Sequence, residues 1–170
     1  VYHCGKKIIK DEKMEVKPCP PHLKNTVHVS GFSEERLKLK HSGEKAHVIQ
    51  MLEKQIVTKH IIEEVPCAEK DGEKYFESNE EYQKIAVIER HKNTGKMGVG
   101  IVKGYGIRGG AIASSVSHDS HNIIVVGDND HDMALAVKEM IRTQGGYTLV
   151  CNGEIYGTLP LPVMGLMSDA

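Results

Sequence analysis

The densest cluster of side chains capable of chemistry lies between two apolar segments in the second half of the chain. Two histidines and one aspartate stand there within four residues, in the sequence SHDSHN at residues 117–122. Imidazoles bind metal ions or carry protons, and a carboxylate can orient an imidazole or accept a proton. The alternative is a structural turn, in which the acid and the asparagine cap the backbone. The candidate site residues of this segment are His118, Asp119, Ser120 and His121.

A second polar group ends a short apolar strand predicted at residues 85–88. It consists of Glu89, Arg90 and His91. Either these side chains only form the polar end of the strand, or they reach a functional site. Both interpretations stay open at this point, and the three residues are candidates for a substrate-proximal role.

The chain carries no complete metal motif. The HDSH segment lacks the helical i, i+4 spacing that makes HExxH specific, which disfavours a metal held by this segment alone. Four acids have the spacing of positions 1, 3, 5 and 12 of a calcium loop, but Met133 stands where the sixth position requires glycine. We therefore expect these acids to cap and neutralise the start of a helix. They are Asp128, Asp130, Asp132 and Glu139.

The glycine-rich segment contains one formal GxGxxG, the GYGIRG at residues 104–109. A dinucleotide fingerprint has to open a helix, whereas the AIASSV that follows predicts a strand. Close packing of strands is the simpler explanation of these glycines. The sequence has no GxxxxGK[ST] and no GxSxG, and no cysteine has a histidine at a spacing typical of a cysteine nucleophile.

Composition excludes several classes of protein. The 170 residues are 39% hydrophobic and 26% charged, which fits one or two ordinary globular domains. Twenty-two basic and 23 acidic residues leave a net charge of -1, so no global field attracts nucleic acid or an anionic membrane. The uncharged stretch at 155–168 is too short to span a bilayer. Four cysteines without a CxxC pair suit a reducing cytoplasm. Because the first residue is Val1 and not a methionine, we expect the chain to be cut from something longer or to be matured.

The elements that position these groups are mainly strands. Runs rich in Val and Ile favour strands between residues 32 and 65, with a helix as the alternative for 44–59. Apolar residues at helical spacing after Asn129 and glycines at its end predict one helix that stops before Gly145. The sequence thus predicts an α+β fold with mixed or antiparallel sheets and few helices. Other predicted elements are an opening hairpin, a proline linker at 18–21, a turn at 69–73, strands at 111–116 and 123–126, and a hairpin across Asn152 and Gly153.

Long segments of the second half resemble a known family. They are IAVIERHKNTGKMGVGIVKGYG, GGAIASSVSHDSHNIIVVGDNDHDMALAV, the GG at 145–146 and LPLPVMGLMSD. They are similar to the C-terminal region of bacterial and archaeal adenine deaminases of the amidohydrolase superfamily, closely from 84 to 169 and more loosely from 26 to 82. The opening VYHCGKKII is similar to the strand that resumes the family's small β-sandwich domain. The resemblance thus implies two parts, with the end of that β-sandwich segment and a linker at 1–25 and the C-terminal domain at 26–170.

The resemblance also implies a reaction and its cofactor. Adenine deaminases replace the exocyclic amine of adenine by water, which yields hypoxanthine and ammonia, and they depend on a divalent metal, manganese, iron or zinc. The family's first metal ligands form an HxH pair on a barrel strand. No HxH occurs in these 170 residues, and a barrel needs about 250 residues. The fragment alone is therefore expected to hold no metal and to be inactive, with the metal-binding barrel of the same enzyme as its partner.

The role implied for this fragment is to complete or cover the active site. In this hypothesis the HDSHN segment leans over the open end of the barrel, where His118, Asp119 and His121 hold the purine or exclude water. Glu89, Arg90 and His91 would support the segment. The expected setting is a cytoplasmic homo-oligomer without nucleic-acid or membrane partners. Two alternatives remain, a non-catalytic structural or oligomerisation module and a standalone purine-binding protein.

Overall fold

The computed structural model describes residues 2–7, 9–10, 13–14, 21–41 and 43–169. Within them, strands β1 (Tyr2–His3) and β2 (Lys6–Lys7) form one short antiparallel pair, and β3 (Ile9–Lys10) and β4 (Lys13–Met14) form a second. The predicted opening hairpin is thus two hairpins. Most of the predicted proline linker, residues 18–20, lies outside the described residues. Single 3-10 turns follow at Pro21–Leu23 and Glu34–Leu37.

An eight-stranded mixed sheet forms the body of the fold and carries one helix, which confirms the α+β prediction. Its strand order is β14-β13-β11-β12-β9-β10-β5-β6. All neighbours pair antiparallel except β10 and β5, which are parallel. The elements are β5 (Ala46–Met51), β6 (Thr58–Glu63), β7 (Cys67–Lys70), β8 (Glu73–Phe76), β9 (Tyr82–Ile88), β10 (Met97–Lys103), β11 (Gly110–Ser114), β12 (Ile123–Gly127), α1 (Asp130–Thr143), β13 (Gly146–Cys151) and β14 (Glu154–Pro160). Strands β7 and β8 form a separate hairpin.

The helix α1 has the ends that the sequence predicts. The side chain of Asn129 accepts a 2.8 Å hydrogen bond from the Asp132 amide, which caps the first turn. At the other end Gln144 adopts a left-handed conformation with φ of 60°. The apolar face of α1 packs on β11, β12 and β13 through Met133, Ala134, Val137 and Met140, all fully buried. No helix in the described part of the chain is both long and apolar enough to cross a membrane.

The structure confirms the strands favoured for residues 44–59, which contain β5 and the start of β6, so the helical alternative is wrong. One expectation about elements is corrected, because Leu37 lies in a 3-10 turn rather than in a strand. Strand β10 was not predicted, because Gly98 and Gly100 weaken the local strand signal. Pairing with β9 on one side and β5 on the other nevertheless forms this strand and buries Ile101.

Strand register brings the two polar groups of the sequence to one end of the sheet. Ile88, the last residue of β9, lies opposite Ile123, the first residue of β12. Ser114 ends β11 opposite Ile124. The loop after β9 and the loop that joins β11 to β12 therefore emerge side by side. We call the second one, residues 115–122, the HDSHN loop.

Candidate functional site

The HDSHN loop begins at a buried anchor. Ser115 is fully buried, and its hydroxyl donates a 2.6 Å hydrogen bond to the Gly165 carbonyl while it accepts one of 2.7 Å from the Gly146 amide. The Ser115 amide also donates to the Gly146 carbonyl at 3.1 Å. One side chain thus ties the start of the loop to β13 and to the chain's last turns.

The tip of the loop is exposed. The side chains of His118 and Asp119 are 83% and 88% exposed, and the His118 Nδ1 atom contacts a carboxylate oxygen of Asp119. Ser120, the next candidate residue, is also exposed. The His118 ring meets the His121 ring edge to face with centroids 5.5 Å apart. The tip therefore presents an imidazole and a carboxylate, already paired, away from the body of the domain.

His121 turns back toward the domain. Its backbone is left-handed, with φ of 52°, and its amide donates to the Ser117 carbonyl at 2.5 Å, which closes the loop. The Nδ1 atom of its ring and the Oδ1 atom of Asn122 are buried without a hydrogen-bond partner among the residues that the structure describes. Buried polar atoms nearly always have a partner, so these two atoms are exceptions at the end of the loop.

The buried side chain of Arg90 supports the base of the HDSHN loop. It is 1% exposed, and its guanidinium donates to three backbone carbonyls, those of His121 at 2.5 Å, Met164 at 3.0 Å and Thr26 at 3.5 Å. Burial lowers the pKa of Arg90 from its ordinary value. Gly165 lies against the same guanidinium, and a Cβ atom there would come within 2.8 Å of Arg90 Cζ. A single side chain thus joins three segments that are distant in sequence.

Glu89 and His91 also support loops, although in different ways. The Glu89 carboxylate accepts hydrogen bonds from the amides of His91, Lys92 and Thr94 and from the Thr94 hydroxyl, at 2.5 to 3.0 Å. These donors lower its pKa from 4.5 to about 2, so it stays a carboxylate that caps its own turn. The His91 ring instead makes a 3.0 Å hydrogen bond with the Ser120 carbonyl of the HDSHN loop.

A pocket of about 330 Å³ opens between these groups. The Oγ1 atom of Thr26 is another buried polar atom without a partner in the described chain. Sequence reasoning singled out three of the lining residues and missed four, because the others carry no local motif and come from segments far along the chain. The lining residues are Thr26, His28, Arg90, His91, His121, Met164 and Leu166.

The described residues do not assemble a metal centre. They include no group of three or more His, Cys, Asp and Glu side chains close enough to share an ion. The four acids with calcium-loop spacing point to different partners. Asp128 accepts from the Gly109 and Gly110 amides, Asp130 pairs with Lys84, Asp132 accepts from the Gly153 amide, and Glu139 binds Arg142. Asp130 and Asp132 lie in the first turn of α1, as predicted, where the positive end of the helix dipole favours them. The prediction is wrong for the other two acids, because Asp128 precedes the helix and Glu139 lies within it.

The family described as "Adenine deaminase C-terminal domain" matches residues 55–170 of the chain. The chain belongs to this family. The HDSHN loop, the Glu89–His91 segment and the Met164–Leu166 turn all lie inside the matched range.

Similar proteins support the same assignment over the full length of the chain. An adenine deaminase of Desulfitobacterium hafniense is 48% identical over 170 residues, which is 100% of this chain and 29% of that protein. One from Nitratidesulfovibrio vulgaris is 42% identical over 172 residues, 99% of this chain and 29% of that protein. One from Halalkalibacterium halodurans is 46% identical over 164 residues, 96% of this chain and 28% of that protein. This adenine deaminase C-terminal domain thus spans less than a third of the relatives that it matches.

Proposed function

We propose that this domain completes the active site of an adenine deaminase, an enzyme that hydrolyses adenine to hypoxanthine and ammonia. The HDSHN loop is the part that reaches the catalytic domain. The observation that carries the proposal is the contrast within this loop. Its base is fixed by Ser115 and Arg90, yet its tip presents His118 and Asp119 to the outside. A rigid base with an exposed polar tip suits a loop that must place chemical groups in another domain's site.

The tip residues can perform two tasks in this reaction. An imidazole paired with a carboxylate can hold a proton near the exocyclic amine, an NH2 group that must gain one proton to leave as ammonia when the C–N bond breaks. The same loop, lying over the purine, excludes bulk water and strengthens the hydrogen bonds beneath it. Arg90 and His91 are positioning residues, since they bind the backbone of the loop.

The metal that the family resemblance implies, manganese, iron or zinc, belongs in this proposal to the catalytic domain, as does the water that it activates. Among the residues that the structure describes, no group of three or more His, Cys, Asp and Glu side chains could hold it. What this chain contributes is orientation of the substrate, exclusion of water and the placing of a proton.

The proposal extends to the setting and limits of the domain. The free thiols of Cys4, Cys67 and Cys151 are consistent with a reducing cytoplasm, where an enzyme of purine metabolism would act. The domain boundary at residue 25 fits the burial of Val27 in the core and the position of Thr26 in the pocket. The β-sandwich origin of residues 1–25 and homo-oligomerisation stay predictions of the resemblance.

The test uses intact adenine deaminase that contains this domain. We expect His118→Ala and Asp119→Asn to lower kcat for ammonia release by roughly 10²-fold or more, the usual contribution of a positioned proton carrier. The melting temperature should not change, because both side chains are exposed. His131→Ala is the matched control, since its ring is 68% exposed on α1, away from the loop. Unchanged kinetics in both loop variants would contradict the proposal.

A further inference from the structure

One face of the eight-stranded sheet is open and apolar. Helix α1 covers the other face at β11, β12 and β13, where Ala113, Ile123 and Val125 are buried. At β5 and β10 that face is covered by a second cluster, in which Phe76 of β8 packs with Val48 and Ile101. Because side chains alternate along a strand, the neighbouring residues of the same strands point away from the helix. We call that side the open face. Large apolar residues on it are between 37% and 58% exposed, namely Ile49, Met51, Val87, Tyr147, Leu149 and Leu159.

The open face does not have the composition of a solvent-exposed surface. From β5 across to β13, the positions that the strand register places on it include no Asp, Glu, Lys or Arg. A half-exposed antiparallel sheet normally alternates apolar with polar residues, yet β12 reads Ile-Ile-Val-Val. Such continuous apolar runs are typical of strands covered on both faces. A shallow pocket of about 330 Å³ on this face is lined by Ile49, Ile85, Val102, Ile112, Ile124 and Val126, among others.

We infer that the open face is an interdomain interface, covered by the part of the same enzyme that precedes this domain. The chain spans 28–29% of the relatives compared above and corresponds to their C-terminal domain, so more than two thirds of each relative lies outside it. A covalently linked domain is present at an effective concentration in the millimolar range for a short linker. It can therefore cover the face in every molecule, whereas a second copy does so only above its dissociation constant. This inference rests on the proposed function only in assuming that the catalytic domain belongs to the same chain.

Thiol labelling tests this inference. One variant carries Val87→Cys on the open face. A second variant, Leu149→Cys, is made in case the first disturbs the sheet. Mass spectrometry follows the labelling of each introduced cysteine. Two controls accompany them. Ile56→Cys lies in the fully exposed turn between β5 and β6, and Ala136→Cys lies on the buried side of α1. Each variant is made both in the 170-residue chain and in the intact enzyme.

We expect Val87→Cys and Leu149→Cys to react about tenfold or more slowly in the intact enzyme than in the 170-residue chain, because an interface residue reacts only when the interface opens. Ile56→Cys should react equally fast in both, and Ala136→Cys should be protected in both, which shows that the domain is folded. Equal labelling of both face variants in the two proteins would overturn the inference. Protection in the 170-residue chain that increases with protein concentration would also overturn it and would identify a second copy as the occupant. Neither result depends on turnover, so the role of the HDSHN loop is tested separately.

Discussion

Arg90 is the best place to test how the candidate site is held together. Replacing it by methionine keeps an unbranched side chain of similar length but removes the donors to the carbonyls of His121 and Met164, at 2.5 and 3.0 Å. Both contacts are partly buried, and a buried acceptor left without a partner costs about 1–3 kcal/mol. The third contact, at 3.5 Å to Thr26, is too long to add much.

Part of that loss is recovered in Arg90→Met. The guanidinium is buried, and taking a charge out of water is itself unfavourable, so removal of the charge returns some free energy. We therefore expect a net loss of about 2–4 kcal/mol in the free energy of unfolding. For a chain of this size, the melting temperature should fall by about 5–15 °C.

Urea unfolding and amide hydrogen exchange of the 170-residue chain provide the assay. Exchange should accelerate in the HDSHN loop, whose backbone loses its support from Arg90. Arg108→Met is the matched control, because Arg108 is 69% exposed and pairs with Glu80, which is 74% exposed. Such a surface ion pair is worth about 0–1 kcal/mol. If Arg90→Met and Arg108→Met unfold at the same urea concentration, the reasoning about the buried guanidinium is wrong.

Two further predictions concern neighbouring groups. Gly165→Ala should lower the free energy of unfolding by about 1–3 kcal/mol, because φ is 70° there and the new Cβ would press on Arg90. Calorimetry of the 170-residue chain measures this loss. An unchanged melting temperature would contradict the prediction. Glu89 has a folded-state pKa of about 2, below its ordinary 4.5, so its contribution to stability is complete above about pH 5 and is lost as the pH falls toward 2. Glu89→Gln should therefore lower the free energy of unfolding at neutral pH and make that free energy fall less as the pH is lowered. Urea unfolding at several pH values measures both effects. Glu53→Gln, at an exposed position, is the control and should not change the free energy of unfolding.

The parts of the fold that could be predicted are those with local signals. Helix α1 follows from apolar residues at helical spacing, the Asn129 cap and the glycines after its end. The hairpin of β13 and β14 follows from Asn152 and Gly153, which both adopt the left-handed backbone of a tight turn. Strand β10 has no comparable local signal, because Gly98 and Gly100 interrupt it and the strand forms through its pairing with β9 on one side and β5 on the other.

The candidate site shows the same division. The HDSHN loop and the Glu89–His91 segment were found from residue type and spacing, and the pairing of β9 with β12 brings them together. Residue type alone did not distinguish their tasks. The Glu89 carboxylate accepts hydrogen bonds from its own turn, and Arg90 is buried. The exposed groups that can do chemistry are those of His118 and Asp119 at the tip of the HDSHN loop. Thr26 and Met164 could not have been found, since each meets Arg90 only through the folded chain.

The open face and the HDSHN loop are geometrically linked, which relates the two proposals. Ile124 lies on the open face only two residues after Asn122, about 7 Å along the strand at the usual rise per residue. Ser114 and Tyr147, paired at the end of β11, border the same corner of the face. A domain that packs on the open face therefore lies beside the loop without any rearrangement of this one. The apolar face would supply the free energy that binds the catalytic domain, which leaves the polar tip of the loop to contact the substrate. The residues that supply affinity and those that supply specificity need not be the same.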